Sequence, residues 1–151
     1  MIEVKDITKS FDGRTVLHEV SATFATGKTN LIIGQSGSGK TVLMKSLVGL
    51  LTPESGEILF DGRDVISMDQ QQRKDLRQEI GMLFQGSALF DSETVLGNVM
   101  FPLVMFTSKS QAEIRERAMF CLERVNLLGA ENKYPSEISG GMQKRVAIAR
   151  A

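Results

Sequence analysis

The sequence predicts an α/β fold with an antiparallel β region and an inserted helical segment. Three observations support this prediction: β-like alternation of apolar residues up to Gln85, a glycine-rich loop between an apolar run and a helical pattern, and helical spacing of apolar residues between Gln85 and Pro135. With 151 residues and 42% hydrophobic content, the chain is long enough for one domain of ordinary size with a real core.

Short antiparallel strands are expected near the N-terminus. Ile2, Val4 and Ile7 nearly alternate with polar residues. Asp-Gly pairs and a proline mark the points at which the chain turns. The expected order is strand 2–7, turn Asp12-Gly13, strands 15–17 and 21–24, a break at Pro53–Gly56, strand 57–60 and turn Asp61-Gly62.

The chain is organised around a glycine-rich loop that fits the pattern Gly-x-x-x-x-Gly-Lys-Thr. The apolar run Leu31-Ile32-Ile33 before the loop predicts a buried strand, and residues 42–48 after it predict a helix. Glycines let the backbone turn its N–H groups inward and form an anion site at the positive end of that helix. A phosphate-binding loop is predicted, with a glycine-rich turn bearing a surface lysine as the alternative.

The residues of this loop have expected roles in binding a triphosphate. Lys40 would supply positive charge for the β- and γ-phosphates. The Thr41 hydroxyl would be a ligand of the Mg²⁺ that bridges them. The other expected contacts come from Gly34, Ser36, Gly37, Ser38 and Gly39.

The polar stretch Ser67 to Glu79 predicts an exposed helix that leads into a strand at Ile80–Phe84. Mostly helical structure is expected after Gln85. Gln111 to Leu128 predicts the clearest helix, with Gly129 as its stop. The apolar face of that helix is expected to contain Ile114, Ala118, Cys121, Leu122, Val125 and Leu128.

Charge and cysteine content narrow the classes of partner. Eighteen basic residues balance eighteen acidic ones, so no overall field recruits nucleic acid or an anionic membrane surface, and no nucleic-acid partner is predicted. The single cysteine, Cys121, excludes an intrachain disulfide and is expected to be buried filler. The apolar stretch Val95 to Phe106 is far shorter than the ~20 residues that cross a bilayer. A soluble, cytoplasmic protein is expected.

A second glycine-containing segment, Ser139-Gly140-Gly141, is expected to cap a helix and to form another anion site at its N-terminus. Taken alone, a Gly-Gly turn that opens a helix is an equally good interpretation. The stretch Ile138–Met142, followed by Arg145-Val146-Ala147-Ile148-Ala149-Arg150-Ala151, resembles the Leu-Ser-Gly-Gly-Gln signature of ATP-binding cassette ATPases and the residues that follow it. The resemblance runs the whole length of the chain.

This resemblance implies further site residues and names ATP and Mg²⁺ as the cofactors. Phe11 matches the aromatic residue that stacks on adenine, with a core aromatic as the alternative. Gln85 matches the glutamine that meets Mg²⁺ and the attacking water, with a solvated loop residue as the alternative. The implied catalytic residues are Lys40, Gln85, Ser139 and Gly141; the implied metal ligands are Thr41 and Gln85; and Gly140 joins Ser139 and Gly141 in contacting phosphate.

The signature has Ile138 and Met142 where the family usually has Leu and Gln. Met142 with the basic pair beside it, together with residues 84–90 and 99–103, resembles the ATPases of transporters that move phospholipid between Gram-negative membranes with a mammalian-cell-entry type subunit. Amino-acid importers usually have a second Gln after Gln85, and this chain does not.

The resemblance also implies partners, location and domains. The chain ends at Ala151, before the family's Mg²⁺-binding aspartate, its base glutamate and its switch histidine, and His18 is expected to be a surface residue. The chain is therefore expected to be an N-terminal part, inactive alone. The implied partners are an integral-membrane permease and a second copy in a head-to-tail homodimer, at the cytoplasmic face of the inner membrane. The expected domains are 1–85, the nucleotide-binding core with the β subdomain; 86–138, the helical subdomain; and 139–151, the signature and the start of its helix.

Alternatives from other classes stay open at this point. One is a non-transport cassette ATPase of chromosome maintenance or translation, and another is a P-loop kinase or nucleotide-sensing module. Within the helical subdomain, the stretch Leu96 to Phe106 is expected to dock the membrane partner because it is rich in Met and Phe. Its alternative is plain subdomain core.

Overall fold

A computed structural model describes residues 1–151, which form two compact units, 1–80 and 81–151. The first unit contains an antiparallel sheet and two helices, and the second contains three helices. The elements are β1 Ile2–Phe11, β2 Arg14–Phe24, α1 Lys40–Leu47, β3 Ser55–Phe60, β4 Arg63–Asp64, α2 Gln70–Gln78, α3 Val95–Phe106, α4 Gln111–Arg124 and α5 Gly140–Arg150, with a 3-10 turn at Pro135–Glu137.

The sheet of the first unit has the strand order β2-β1-β3-β4, with every neighbouring pair antiparallel. The predicted antiparallel β region is therefore confirmed. Asp12 and Gly13 form the β1–β2 turn with φ of 49° and 77°, the left-handed pair that suits a tight hairpin. The two short strands predicted at 15–17 and 21–24 are one strand, β2, which continues through the left-handed Glu19 (φ 47°).

The core of the first unit lies between the sheet and its two helices. The helix predicted after the glycine-rich loop is confirmed as α1, which buries Leu43 and Leu47. The exposed helix predicted at 67–79 is confirmed as α2, which begins with a capping box at Asp69 and buries Leu76. The buried residues of this core are Val4, Ile7, Leu17, Leu43, Leu47, Ile58, Val65 and Leu76.

Two predicted strands do not form. Residues 31–33 and 80–84 have no regular secondary structure, and Leu31 and Ile33 are each 81% exposed. Only Ile32 and Ile80 of these segments pack against the first core. A strand forms only where a neighbour accepts its hydrogen bonds, and the structure pairs neither segment with another part of the chain.

The second unit is helical, as predicted. Its core is formed where α3, α4 and α5 pack together, and its buried members are Val95, Leu96, Val99, Ala118, Leu122, Leu127, Ile138 and Val146. The helix predicted to reach Leu128 ends at Arg124, so the assignment of Leu128 to its apolar face is wrong, and that residue is 58% exposed. Cys121 is partly buried against this core. None of the helices is long and apolar enough to cross a membrane.

Candidate functional site

The glycine-rich loop lies in the first unit and leads directly into α1. Gly37 and Gly39 adopt left-handed backbone conformations, with φ of 79° and 87°. The Lys40 ammonium group turns back over the loop and donates hydrogen bonds to the carbonyl oxygens of Gly34 (2.8 Å) and Gln35 (2.7 Å). The cation that was predicted to bind phosphate is therefore hydrogen-bonded to carbonyl oxygens of its own loop.

Glycine at position 39 is favoured by close packing as well as by backbone conformation. A Cβ atom on this residue would lie 3.0 Å from Cδ2 of Leu17 and 3.1 Å from the carbonyl oxygen of Val16, both on β2. Its left-handed φ is also one that residues with a Cβ atom rarely adopt. Strand β2 therefore fixes the point at which the loop becomes α1.

Backbone amide groups are available at the start of α1. Gly39 provides no side-chain cap, and the Leu43 amide lies 2.8 Å from the Gly39 carbonyl oxygen, to which it donates a hydrogen bond. Helix geometry leaves the amides of the preceding turn without intrahelical partners, at the positive end of the helix dipole. The predicted phosphate-binding residues that are exposed are Gly34, Ser36, Gly37, Ser38 and Thr41.

The donor set of this loop fits a triphosphate with Mg²⁺. The amides of the first turn and the Lys40 ammonium group supply positive charge for phosphate oxygens. Thr41 places an exposed hydroxyl in the first turn of α1. Mg²⁺ takes oxygen ligands and keeps several waters beside substrate phosphates, so a single protein hydroxyl suits it.

Phe11 lies at the end of β1 and is 42% exposed. The alternative that it is a core aromatic is therefore wrong. The Lys9 ammonium group lies 5.3 Å from the centroid of its ring, within the range of a cation–π interaction. Stacking of adenine on this exposed ring stays a prediction.

Glu54 holds this end of β1 in place. One of its carboxylate oxygens accepts a hydrogen bond from the Lys9 ammonium group (2.6 Å), and the other accepts one from the Ser10 amide (2.8 Å). The bond from Lys9 keeps the pKa of the Glu54 carboxyl below its usual value. Sequence reasoning missed both partners, although the alternation of a strand places Lys9 on the same side of β1 as Phe11.

Replacing Phe11 with alanine is expected to weaken ATP binding by roughly 10- to 100-fold, because stacking on a base is worth about 1–3 kcal/mol. Binding of bare triphosphate, which has no base, should change far less. Phe120→Ala is a matched control, since Phe120 is 49% exposed and has the Arg117 guanidinium 5.1 Å from its ring centroid. Calorimetric titration with both ligands checks the result; equal losses for ATP and triphosphate would show that Phe11 does not contact the base.

The Ser139-Gly140-Gly141 segment opens α5, as predicted. The Ser139 side chain accepts a hydrogen bond from the Met142 amide (3.3 Å) and is the N-cap of the helix. All three residues of the segment are exposed, and a Cβ atom on Gly140 would meet nothing within 4 Å. The segment therefore presents backbone amides at an open helix N-terminus.

The two departures from the family signature contribute to the packing of the second unit. Ile138 is 8% exposed and belongs to the second core, against which Met142 also packs. Gln143 donates from Nε2 to the carbonyl oxygen of Pro135 (2.8 Å) and ties the start of α5 to the 3-10 turn before it. Buried apolar neighbours thus anchor the exposed Ser and Gly residues.

Gln85 is exposed and lies in a turn of the second unit, so its predicted role stays a prediction. The residues that follow it are held by two helices. The buried Asn98 of α3 accepts a hydrogen bond from the Phe90 amide at Oδ1 (2.8 Å), and the Arg150 guanidinium of α5 donates to the Ser87 carbonyl oxygen (3.0 Å). Sequence reasoning missed the roles of Asn98 and Arg150, because neither contact follows from a local pattern.

The structure divides the sequence-predicted site residues between the two units. Phe11 and the loop at 34–41 lie in the first unit, where Phe11 ends the first strand of the β1–β2 hairpin and Gly39 packs against the second. Gln85 and the segment at 139–141 lie in the second unit.

The α/β fold and the loop with its lysine, free amides and hydroxyl define a P-loop nucleotide-binding protein. Comparison with known families gives a narrower result: the family described as "ABC transporter" matches residues 17–151. The chain belongs to this family of ATP-binding proteins. The predicted resemblance to ATP-binding cassette ATPases is therefore confirmed.

Two curated relatives and one solved structure show how far the likeness extends. The "Probable ribonucleotide transport ATP-binding protein mkl" of Mycobacterium leprae is 45% identical over 150 residues, which are 99% of this chain and 43% of that protein. The "Intermembrane phospholipid transport system ATP-binding protein MlaF" of Haemophilus influenzae is 42% identical over 151 residues, 100% of this chain and 57% of that protein. The chain spans about half the length of these relatives.

The solved structure is that of the ATP-binding cassette MJ0796, a dimer in a post-hydrolysis state bound to ADP and Pi. It matches with a TM-score of 0.89 and 34% identity over 99% of this chain and 68% of that one. The predicted α/β fold class is thus confirmed, even though residues 31–33 and 80–84 form no strands.

Proposed function

We propose that this chain is the nucleotide-binding part of an ABC transporter ATPase that couples ATP binding and hydrolysis to a membrane permease. The observation that carries the proposal is the loop around Lys40, where an ammonium group, amides without intrahelical partners and the Thr41 hydroxyl all lie at the start of α1. In the second unit, Ser139 caps an open helix start of the same kind. Two such sites suit a head-to-tail dimer in which the loop of one subunit meets the Ser139 segment of the other.

Each predicted residue then has a task at the γ-phosphate. Lys40 exchanges its bonds to loop carbonyls for bonds to phosphate oxygens. In the closed dimer, Ser139 and the Gly141 amide aim donors at the same phosphate, where negative charge spreads over the oxygens during transfer. Gln85 orients the attacking water. Thr41 and Gln85 would be the protein ligands of Mg²⁺, which would supply positive charge for the phosphate oxygens.

We also propose that the chain is the N-terminal part of a longer ATPase. Its coverage of about half of each curated relative supports this. The family's Mg²⁺-binding aspartate, base glutamate and switch histidine would then lie in the remaining part. Experiments on turnover therefore use the full-length protein.

Phospholipid is the proposed cargo, moved by a transporter at the cytoplasmic face of the inner membrane. The support comes from the likeness to MlaF, whose name is that of a phospholipid transport protein, and from the segments 84–90 and 99–103. The mkl protein has a similar level of identity and a name that refers to ribonucleotides. Transport of another small substrate is therefore the alternative.

The exposed end of α3 is the proposed contact with the permease. The stretch predicted for docking, Leu96 to Phe106, is divided: its first turns supply Leu96 and Val99 to the core, while Met100 packs against that core. The core alternative therefore holds for that half. The exposed side chains of the helix are Phe101, Val104, Met105 and Phe106, between 39% and 55% exposed.

These four residues, here called the α3 patch, lie in the last two turns of α3 and form an exposed apolar surface. The Phe101 ring also contacts the Phe90 ring at a tilt of 49°, with ring centroids 4.5 Å apart, which fixes the base of the patch to the loop after Gln85. A permease helix seated here would therefore press on the element that carries Gln85.

Replacing Met105 with glutamate is expected to reduce recovery of the permease on co-purification by roughly tenfold or more, because a charge would be buried at an apolar contact. Folding and ATP binding should stay intact, since Met105 is 55% exposed. Leu128→Glu, at an equally exposed apolar residue of the same unit (58%), is the control and should retain the permease. A complex that survives Met105→Glu would place the contact elsewhere, and recovery of a ribosome or DNA instead of a permease would favour a non-transport ATPase.

A further inference from the structure

The C-terminal end of α5, the helix that begins after Ser139, is hydrogen-bonded to the loop that follows Gln85. Arg150, in the last turn of α5, donates from Nη1 to the Ala88 carbonyl oxygen (2.7 Å) and from Nη2 to the Ser87 carbonyl oxygen (3.0 Å). Its guanidinium also lies 5.8 Å from the centroid of the Phe90 ring. The Arg150 side chain therefore contacts this loop at three points: two backbone carbonyl oxygens and one aromatic ring.

The two residues whose carbonyl oxygens bond to Arg150 have an unusual backbone conformation. Ser87 and Ala88 are both left-handed, with φ of 62° and 49°, although neither is glycine. Residues with a Cβ atom hold such conformations only where their surroundings determine them. The two carbonyl oxygens that result point to one guanidinium, whose fork geometry matches a pair of acceptors.

A second helix secures the other end of the loop. Asn98 of α3 is fully buried; its Oδ1 accepts a hydrogen bond from the Phe90 amide (2.8 Å) and its Nδ2 donates to the Phe90 carbonyl oxygen (3.1 Å). Burial lowers the pKa of the Arg150 guanidinium, which is consistent with a cation that depends on protein carbonyls in place of water. The loop is therefore a braced segment between α3 and α5.

We propose that Arg150 is a positioning residue that fixes the loop carrying Gln85 to the signature helix, so that Gln85 moves together with the Ser139 end of α5. This inference rests on the proposed function, because that function assigns Gln85 and Ser139 their roles at the phosphate. In this positioning role, Arg150 itself contacts neither nucleotide nor metal. It acts through the conformation of residues 86–90.

Hydrogen exchange on this chain tests the brace without any nucleotide. The amides of Ser87, Ala88 and Phe90 are bonded, respectively to the Phe84 carbonyl, the Gly86 carbonyl and Asn98. In Arg150→Met these amides are expected to exchange roughly 10-fold faster or more, because bonds from a charged donor no longer hold the loop. Arg150→Lys should recover part of the protection, since one ammonium can still donate.

The same helix offers a matched control. Arg145 of α5 also donates to two carbonyl oxygens, those of Val125 (3.2 Å) and Asn126 (3.1 Å). Arg145→Met should therefore leave exchange at residues 87–90 within about twofold of wild type. Unchanged exchange in Arg150→Met, or equal acceleration in Arg145→Met, would overturn the inference.

A double-mutant cycle in the full-length protein with its permease tests the functional role. If Arg150 acts through Gln85, Arg150→Met should slow ATP turnover in the wild-type background but by no more than about twofold in the Gln85→Ala background. ATP affinity should stay within about threefold of wild type for Arg150→Met. If the losses of ATP turnover in the two single variants multiply in the double variant, the two residues act independently, and this inference alone is overturned. Wild-type turnover in Gln85→Ala would overturn the proposed role of Gln85 and this inference with it.

Discussion

A heterodimer of one Lys40→Ala subunit and one Ser139→Arg subunit is expected to recover part of the ATPase activity that both homodimers lack. In a head-to-tail dimer each site joins the loop of one subunit to the Ser139 segment of the other. This heterodimer concentrates both lesions in one site and leaves the other intact. Ser139 is exposed at the helix start, so an arginine there costs only the N-cap hydrogen bond, about 0.5–2 kcal/mol, while its bulk fills the space proposed for phosphate.

The reciprocal heterodimer is the matched control. It pairs a wild-type subunit with one that carries both Lys40→Ala and Ser139→Arg, so it contains the same two lesions in a different distribution. A shared site then has one lesion in each copy, and no activity is expected. Separately tagged subunits allow each heterodimer to be purified and its ATP turnover measured. Activity in the reciprocal heterodimer and none in the first would show that each site lies within one chain.

The parts of the site that local backbone chemistry determines were predictable from the sequence. The glycine spacing before Lys40 specified a loop followed by a helix, and the structure has both at those positions. Ser139 followed by two glycines specified an N-cap, because its hydroxyl reaches the amide three residues on. Such patterns involve only a few neighbouring residues, so one sequence suffices to predict them.

Apolar runs were less informative, because they indicate a tendency to be buried but do not identify the partner that would cover them. The run at 31–33 predicted a buried strand, yet Leu31 and Ile33 are exposed and only Ile32 packs against the core. The same holds for residues 80–84. A buried strand needs neighbours on both sides and a cover on both faces, which a short apolar run cannot by itself reveal.

Contacts between distant residues were not predictable. Arg150 reaches a loop 62 residues earlier in the chain, and Glu54 reaches Lys9 over 45 residues. The sequence around each shows only a charged residue, and most charged residues are solvated. These contacts hold residues that neighbour Gln85 and Phe11 in the sequence. The tertiary structure therefore shows how the segments carrying these two residues are supported, which local patterns do not show.

Lys40→Ala is expected to weaken ATP binding by at least about 100-fold. Charge-assisted contacts to phosphate are worth about 1.5–3 kcal/mol each, and the phosphates keep their charge when the cation is lost. The fold should be unaffected, because the carbonyl oxygens of Gly34 and Gln35 that Lys40 now satisfies are in exposed residues and water can replace it. Lys45→Ala, at a second lysine of α1, is the control and should bind ATP within about threefold of wild type.

Calorimetric titration of ATP into the full-length protein and its Lys40→Ala and Lys45→Ala variants is the most direct test of the claim that this loop binds nucleotide. Measurable heat is expected for wild type and Lys45→Ala, and none at the same concentrations for Lys40→Ala. Equal ATP affinity in wild type and Lys40→Ala, with all three proteins folded, would show that Lys40 and its loop do not bind ATP.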